Sequence, residues 1–296
     1  MTAAPARPRR SALYMPGSNT RALEKARTLA ADSLILDLED AVAPDVKAEA
    51  RAQVVAAVKE GGYGAREVII RVNGLATEWG EADIEAAVAA GPDAILVPKI
   101  ETAAEVDRAS SLLDKAGAGA GMQLWAMMET PLAMLQAQEI AARAPQTRMT
   151  TWVMGTNDIA KELRCAHTPE RQPMMTSLGL CLLAARAYGL TILDGVYNDI
   201  KDEEGFAAIC TQGRDLGFDG KTLIHPSQLA PCNRIFSPEP AEVNFARQVI
   251  DAFKAPENAG KGVLKVEGRM VELLHAEIAE RTVTIADAIA KLEAAG

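Results

Sequence analysis

The chain has 296 residues, 49% of them hydrophobic, which suffices for one barrel-sized core or two smaller domains. Its 40 acidic residues outnumber 31 basic ones for a net charge of −9, and no long basic run offsets them, which excludes a general binder of nucleic acid or other polyanions. The four cysteines, Cys165, Cys181, Cys210 and Cys232, lie far apart with no CxxC and no zinc spacing, as expected of reduced thiols packed in a cytoplasmic protein. No apolar run approaches the roughly 20 residues of a membrane span. The ALYM run after Arg7, Arg9 and Arg10 is too short for the core of a signal peptide.

Short apolar runs then alternate with amphipathic segments. The strand-like runs are SALYM at 11, SLILD at 33, EVIIRV at 67, AILVP at 94, LWAMM at 124, TWVM at 151, TILD at 191 and TLIH at 222. Most are continuously apolar, as parallel strands covered on both faces are. Helical patterns fall at 20–30, 45–59, 81–90, 103–115, 131–143, 174–188, 203–216 and 226–236, and several open on Pro or an acidic turn and stop at Gly. Eight such units predict an α/β fold, a TIM (β/α)8 barrel over residues 1–236. Residues 237–296 read differently: a helix to about Lys254, the linker APENAGKG, a strand and tight turn in VLKVEG, and helices at 270–281 and 285–294. This tail is too small to count on a core of its own. It is expected to be a C-terminal helical arm or lid, packed on its own barrel or on a neighbouring subunit's.

TIM-barrel sites are built where the strands end at their C-termini. Those positions hold Pro16-Gly17-Ser18, then Asp37, Glu39 and Asp40, Arg71 with Asn73, Pro98 with Lys99, Glu129, Asp158, Asp194 with Asn198, and His225. Glu129 and Asp158 each follow an apolar run. Two converging carboxylates suit a hard divalent cation such as Mg²⁺, with Mn²⁺ the other choice. Acids after strands also cap helices, and that is the competing reading. Arg71, inside an apolar strand, must meet an anionic substrate or an acid, with Asp37 or Glu39 the candidates for a structural pair.

The acids Asp37, Glu39 and Asp40 either position substrate and metal-bound water or are solvated helix-start acids. Arg21 and Lys25 either meet ligand phosphates or form a solvated basic face. At strand 8, Ile224 and His225 are the substrate-contact candidates, the alternative for His225 being a satisfied core histidine. Gly155 permits a tight turn. The GAGAGM stretch at 117–122 follows a helix and not a strand, so it fails as a phosphate loop.

In LYMPGSNTRALEKA, LILDLEDAV, RVNG, ILVPKIE, WAMMET, MGTNDIAKEL, DGVYNDIKDEEG and GFDGKTLIHPSQ, the chain resembles the citrate lyase β-subunit-like acyl-CoA lyases of the HpcH/HpaI superfamily. These segments cover nearly the whole barrel in order. The resemblance implies a Mg²⁺-dependent barrel acting on CoA thioesters of small dicarboxylates, with Glu129 and Asp158 as metal ligands, Arg71 on the substrate and Lys25 near CoA. It also implies a homotrimer or homohexamer in which the arm covers a neighbour's site.

Within the family, LGLCLLAARAYGLTILDGVYN and the tail VEGRMVELLH are most similar to the branch that hydrolyses malyl-CoA. Lyases of this group place an Asp from a G-x-M-I-D motif over the site, and Glu272 of GRMVE stands at that position. The extra methylene adds roughly 1.5 Å of reach, and a misplacement of about 1 Å can cost on the order of a hundredfold in rate. A carboxylate displaced in this way would suit activation of water, the competing reading being a surface helix residue with the lyase chemistry intact or absent.

The expected activity is therefore hydrolysis of (3S)-malyl-CoA, with Glu272 as base. The alternatives are C–C cleavage of malyl-CoA or a methyl homologue, a non-catalytic or carrier-dependent subunit, and a pyruvate aldolase acting on free acids.

Overall fold

The computed structural model of the protein describes residues 7–295. Eight parallel strands form a closed barrel in sequence order: β1 (Ser11–Pro16), β2 (Ser33–Asp37), β3 (Glu67–Arg71), β4 (Ala94–Val97), β5 (Gln123–Met128), β6 (Met149–Met154), β7 (Thr191–Asp194) and β8 (Gly220–Leu223). This is the TIM barrel that the run of βα units predicts. The helices between them are α1 (Thr20–Ala26), α2 (Lys47–Glu60), α3 (Gly80–Ala90), α4 (Ala103–Lys115), α5 (Pro131–Leu135), α6 (Ala137–Ala141), α7 (Thr156–Leu163), α8 (Met175–Ala187) and α9 (Glu203–Leu216), with α10 (Leu229–Phe236) closing the unit.

Strand parity sorts the side chains into two layers. Ala12, Ile35, Ile69, Leu96, Trp125, Met127, Val153 and Leu193 fill the lumen, with Tyr14 packed against them. The alternate residues, among them Leu13, Leu34, Leu36, Ile70, Ile95 and Trp152, pack in the larger core that also takes in helix residues. At the N-terminal end, Arg9 closes the lumen: it grips Glu67 through two bonds of 2.7 Å, donates to Gln123 and Thr191, and stacks 5.1 Å from the Trp125 ring centroid. The opposite mouth is left for the site.

Two residues expected at that mouth lie elsewhere. Asp194 is fully buried, 2.6 Å from Arg171 and 2.9 Å from Lys221, and Gly213 of α9 passes close enough that a Cβ there would meet its Oδ2 at 2.8 Å. It ties β7 and β8 to the helix layer. Asn73 is also buried and donates to the Leu38 carbonyl and to Asp83, so it braces the loop after β2.

Other departures are local. A helix at 156–163 went unread because its opening residues, TND, resemble a loop, although its apolar residues Ile159 and Ala160 are buried. The pattern at 131–143 breaks at Gln136 into α5 and α6. Strand 8 starts two residues early, at Gly220, where the charge of Lys221 hid a position buried against the helix layer.

The C-terminal stretch from Ser237 is a separate compact unit. It holds α11 (Pro240–Lys254), an antiparallel hairpin of β9 (Val263–Val266) and β10 (Arg269–Glu272), and one long helix, α12 (Leu273–Ala295). The helix expected from 270 instead begins as a strand. Glu267 and Gly268 both take positive φ (46° and 80°), the two-residue turn that matches strand twist and pairs VLKV with RMVE. The expected break near 282–284 does not occur, since Thr284 satisfies its hydroxyl on the Glu280 carbonyl at 2.6 Å. Ala246, Val249, Val266, Val271 and Ala279 form this unit's small core.

Replacing Lys221 by Met should destabilise the barrel by about 3–5 kcal/mol, because it strips a buried carboxylate of one of its two cations. Equilibrium denaturation of the variant measures it.

Candidate functional site

Parallel register places Asp37 of β2 directly beside Arg71 of β3. Asp37 takes the guanidinium through both oxygens, at 2.7 Å each, while Nη1 lies 2.8 Å from Glu39 Oε2 and 3.5 Å from Asp40. The guanidinium also stacks 4.7 Å from the centroid of the Tyr14 ring. Arg71 is thus held by the acids of the DLED loop, so the structural pair with Asp37 is present. That loop is pinned in turn. Asp37 accepts the N–H groups of Glu39 and Ala41, and the buried Lys47 ammonium donates to the carbonyls of Leu38 and Glu39.

Glu129 is 1% exposed at the end of β5. It does not cap a helix: Thr130 is the N-cap of α5 and accepts from Ala133. Its Oε1 accepts the backbone N–H of Lys99 at 2.8 Å. Lys99 reaches that geometry in the left-handed region, with φ of 54°, a conformation that costs a non-glycine residue energy and tends to persist where a site needs it.

Asp158 lies in the first turn of α7, three residues past an N-cap, Gly155, that bonds nothing through a side chain. Gly155 does not serve a tight turn. Its φ is an ordinary −91°, and what it supplies is room: a Cβ there would collide with the Cβ of Glu129 and sit 2.6 Å from its Oε2.

The electrostatics are those of a crowd of acids. Burial, with Glu39 and Asp158 nearby, pushes the Glu129 carboxyl up to about 8. Burial likewise pushes Glu39 up to about 7, against the pull of Arg71. Lys99 is held above its usual value by Glu129, Glu39, Asp158 and Asp40 despite partial burial. Among the described residues, the cations shown acting on this group of acids are Arg71 and Lys99. Beyond its ion pair with Arg71, the buried Glu39 Oε2 accepts no hydrogen bond among the described residues.

Such a surplus of carboxylate fits a hard divalent cation held by one or two carboxylates with water or substrate oxygen completing its shell. Among the described residues no cluster of three or more His, Cys, Asp or Glu side chains stands ready as a full protein cage. Glu129 and Asp158 are carboxylates that would suit such an ion.

A cavity of about 300 Å³ opens here, lined by Tyr14, Asp37, Asp40, Arg71, Met127, Met154, Gly155, Asn157, Asp158, Val196, Thr222 and Ile224 among others. Glu129 lies just behind Gly155. The wall mixes charged and polar side chains with apolar ones, Met127 Sδ lying 3.7 Å from Arg71 Nη1. The side-chain amides of Asn157 and Asn198 exchange hydrogen bonds of 3.2 and 2.8 Å, linking the start of α7 to the loop after β7.

Ile224 joins this wall. His225 does not: it is exposed and caps the turn at Pro226–Gln228, with Nδ1 accepting from the Ser227 N–H, so it is neither a core histidine nor a lining group. Arg21 and Lys25 are exposed on α1 and also lie outside the lining. Tyr14, Met127, Met154, Val196 and Thr222 were missed from the sequence. Strand parity was the signal available for those in strands, since Tyr14 and Met127 share the lumen face with Ala12 and Trp125.

The sequence profile of the HpcH/HpaI aldolase/citrate lyase family matches residues 10–226. The chain belongs to that family. One relative, the (3S)-malyl-CoA thioesterase of Cereibacter sphaeroides, is 54% identical over 289 residues, covering 98% of each chain. Citrate lyase subunit beta of Escherichia coli is 36% identical over 271 residues, 90% of this chain and 89% of that one. Among solved structures, protein CitE of Mycobacterium tuberculosis in complex with magnesium, acetoacetate and coenzyme A is 28% identical with a TM-score of 0.73, covering 95% of this chain and 99% of that one. The matched region thus spans β1 to β8 and includes every cavity-lining residue named above.

Two outcomes follow from the geometry. Gly155→Ala should destabilise the barrel by about 1–3 kcal/mol through overpacking against Glu129, read as a lower melting temperature. Glu129, raised above its unfolded value, destabilises the fold progressively as pH rises from about 4.5 towards about 8. Glu129→Gln removes that loss, so in cation-free buffer the variant's melting temperature should exceed wild type by more at pH 9 than at pH 6.

Proposed function

We propose that this protein hydrolyses the thioester of (3S)-malyl-CoA to malate and CoA with Mg²⁺ as cofactor. The observation that carries the reading is the end-to-end identity of 54% to a (3S)-malyl-CoA thioesterase, which extends through the tail that bears Glu272. The acid surplus around Glu129 and Asp158 supports the cofactor, since these carboxylates would hold it where neighbours with magnesium share the fold. When bound, Mg²⁺ supplies a template for the malyl carboxylate and hydroxyl and the polarising charge of a Lewis acid.

The chain's own groups then have distinct tasks. Asp37, Glu39 and the Tyr14 ring orient the Arg71 guanidinium at the cavity wall, where it favours negative charge growing on the acyl group. Met127, Met154 and Val196 exclude water from the apolar side. Glu272 accepts a proton from the water whose oxygen attacks the thioester carbonyl carbon, after which the C–S bond breaks and the thiolate leaves as CoA. Arg21 and Lys25, exposed on α1, are assigned to the CoA phosphates, and Ile224 and His225 to the substrate's path beside β8.

Glu272 belongs to the C-terminal unit, and the residues around it support a second copy of the chain as its destination. Met270, Leu273, Leu274 and Ile278 are each at least half exposed, an apolar face of the kind that interfaces cover. A homotrimer or homohexamer with shared sites accounts for that face. Among the described residues no helix is long and apolar enough to cross a membrane, and a cytoplasmic setting suits four unpaired thiols.

Incubation of malyl-CoA with the protein and Mg²⁺ should release free thiol and malate without glyoxylate, and chelation should stop it. Glyoxylate in step with substrate loss would establish C–C cleavage instead. Glu272→Gln should lower kcat by about 10²–10⁴-fold. Mixing it with an equally inactive Arg71→Met protein should restore part of the activity if the arm serves a neighbour's cavity, and none if each chain is self-sufficient.

A further inference from the structure

Tyr14 lies on β1 with its side chain in the lumen, packed against the layer that includes Ala12, Ile35 and Met127. Its ring lines the cavity and carries the stacked Arg71 guanidinium. The hydroxyl is closed off from solvent and, among the described residues, has no hydrogen-bond partner. Burial raises its pKa strongly, and Asp37, Glu129 and Glu39 push the same way, so it stays a neutral O–H donor. A buried hydroxyl without a partner is unfavourable. Phenylalanine would fill the same lumen and carry the same stacked guanidinium without that penalty.

The Arg71 guanidinium and the Lys99 backbone N–H are already engaged. Arg71 gives Nε and Nη2 to Asp37 and directs Nη1 at Glu39 and Asp40, while the Lys99 N–H is taken by Glu129. A cavity of about 300 Å³ admits a small acyl group and leaves no room for the nucleotide end of CoA. The part of a substrate that reaches the lumen is then the acyl head, with its carboxylate, hydroxyl and carbonyl oxygens.

We propose that the Tyr14 hydroxyl donates a hydrogen bond to an oxygen of the bound acyl group, making Tyr14 a substrate-contacting residue of this site. The inference rests on the acyl-thioester reading of the cavity. It adds a polar contact that discriminates for oxygen-bearing acyl chains, because a site built to satisfy a buried donor rejects analogues that leave it unpaired.

Tyr14→Phe is the test, since it keeps the ring and the stacking and removes one oxygen. Malate binding in Mg²⁺ is measured by calorimetry, malyl-CoA turnover by thiol release, and the melting temperature without ligand. Malate affinity and kcat/KM should each fall about tenfold or more, with the unliganded melting temperature unchanged or raised. Unchanged malate affinity and kcat/KM overturn the proposal. So does a lowered unliganded melting temperature with malate affinity intact, which would give the hydroxyl a partner inside the protein. If the wild type binds malate but leaves malyl-CoA intact, the thioesterase reading fails while malate affinity still decides Tyr14. Should the wild type bind neither, the cavity is not the acyl site and both fall.

Discussion

The guanidinium of Arg71 sits in the lumen of a barrel otherwise packed with Ile, Leu, Met and Trp, and only the bidentate grip of Asp37 makes that tolerable. The grip follows from parallel register: with Leu36 paired to Ile70, Asp37 falls beside Arg71. Removing either partner would leave a charge buried on the hydrophobic layer below. Everything at the mouth is arranged around the pair. The DLED loop folds back so that Glu39 and Asp40 share the outer nitrogen, Lys47 and Asn73 hold that loop by its carbonyls, and Tyr14 supplies the face on which the cation rests.

The pair does not balance the site. Asp37 takes most of what Arg71 can give, and Glu39 and Glu129 share the rest of its charge, with Lys99 as the other cation beside them and Asp158. Burial then favours protons on the deepest carboxyls, which is why Glu129 and Glu39 rise far above solution values. A divalent cation does the same electrostatic work as those protons while leaving oxygens in place to ligate. Gly155 shows how closely this was built. The backbone that leads into α7 passes directly over Glu129, and no residue with a Cβ fits there.

Much of this was legible in the sequence because barrels are periodic. Continuous apolar runs such as SLILD, separated by amphipathic helical patterns, give the eight strands and therefore the mouth where their acids collect. What stayed hidden depended on contacts between distant segments. Asp194 follows an apolar run just as Glu129 does, yet it turns to Lys221 and Arg171, and local pattern cannot tell which side of the strand end a carboxylate faces. His225 reads as a substrate contact or a core histidine until its Nδ1 is found capping an exposed turn. The hairpin at 263–272 was half seen. VLKVEG announces a strand and turn, but RMVE has the composition of a helix start and becomes a strand only because the Glu267-Gly268 turn delivers it to a partner.

The two units divide the chemistry unevenly. Every charge needed to seat a small anionic acyl group lies in the barrel, on rigid strand ends or on loops braced by buried bonds. Such a floor is compatible with breaking either the C–C or the C–S bond, because both reactions need the same acyl head polarised in the same place. The choice between them falls to whatever moves a proton, and on the proposed reading that group is Glu272, at the end of β10 where its own backbone N–H is tied to His275 at 3.0 Å. A carboxylate one methylene longer than aspartate, fixed at its backbone, reaches further and is held less tightly at its tip. That combination tolerates a small mobile nucleophile such as water better than it tolerates the strict alignment that proton transfer to or from a substrate carbon demands.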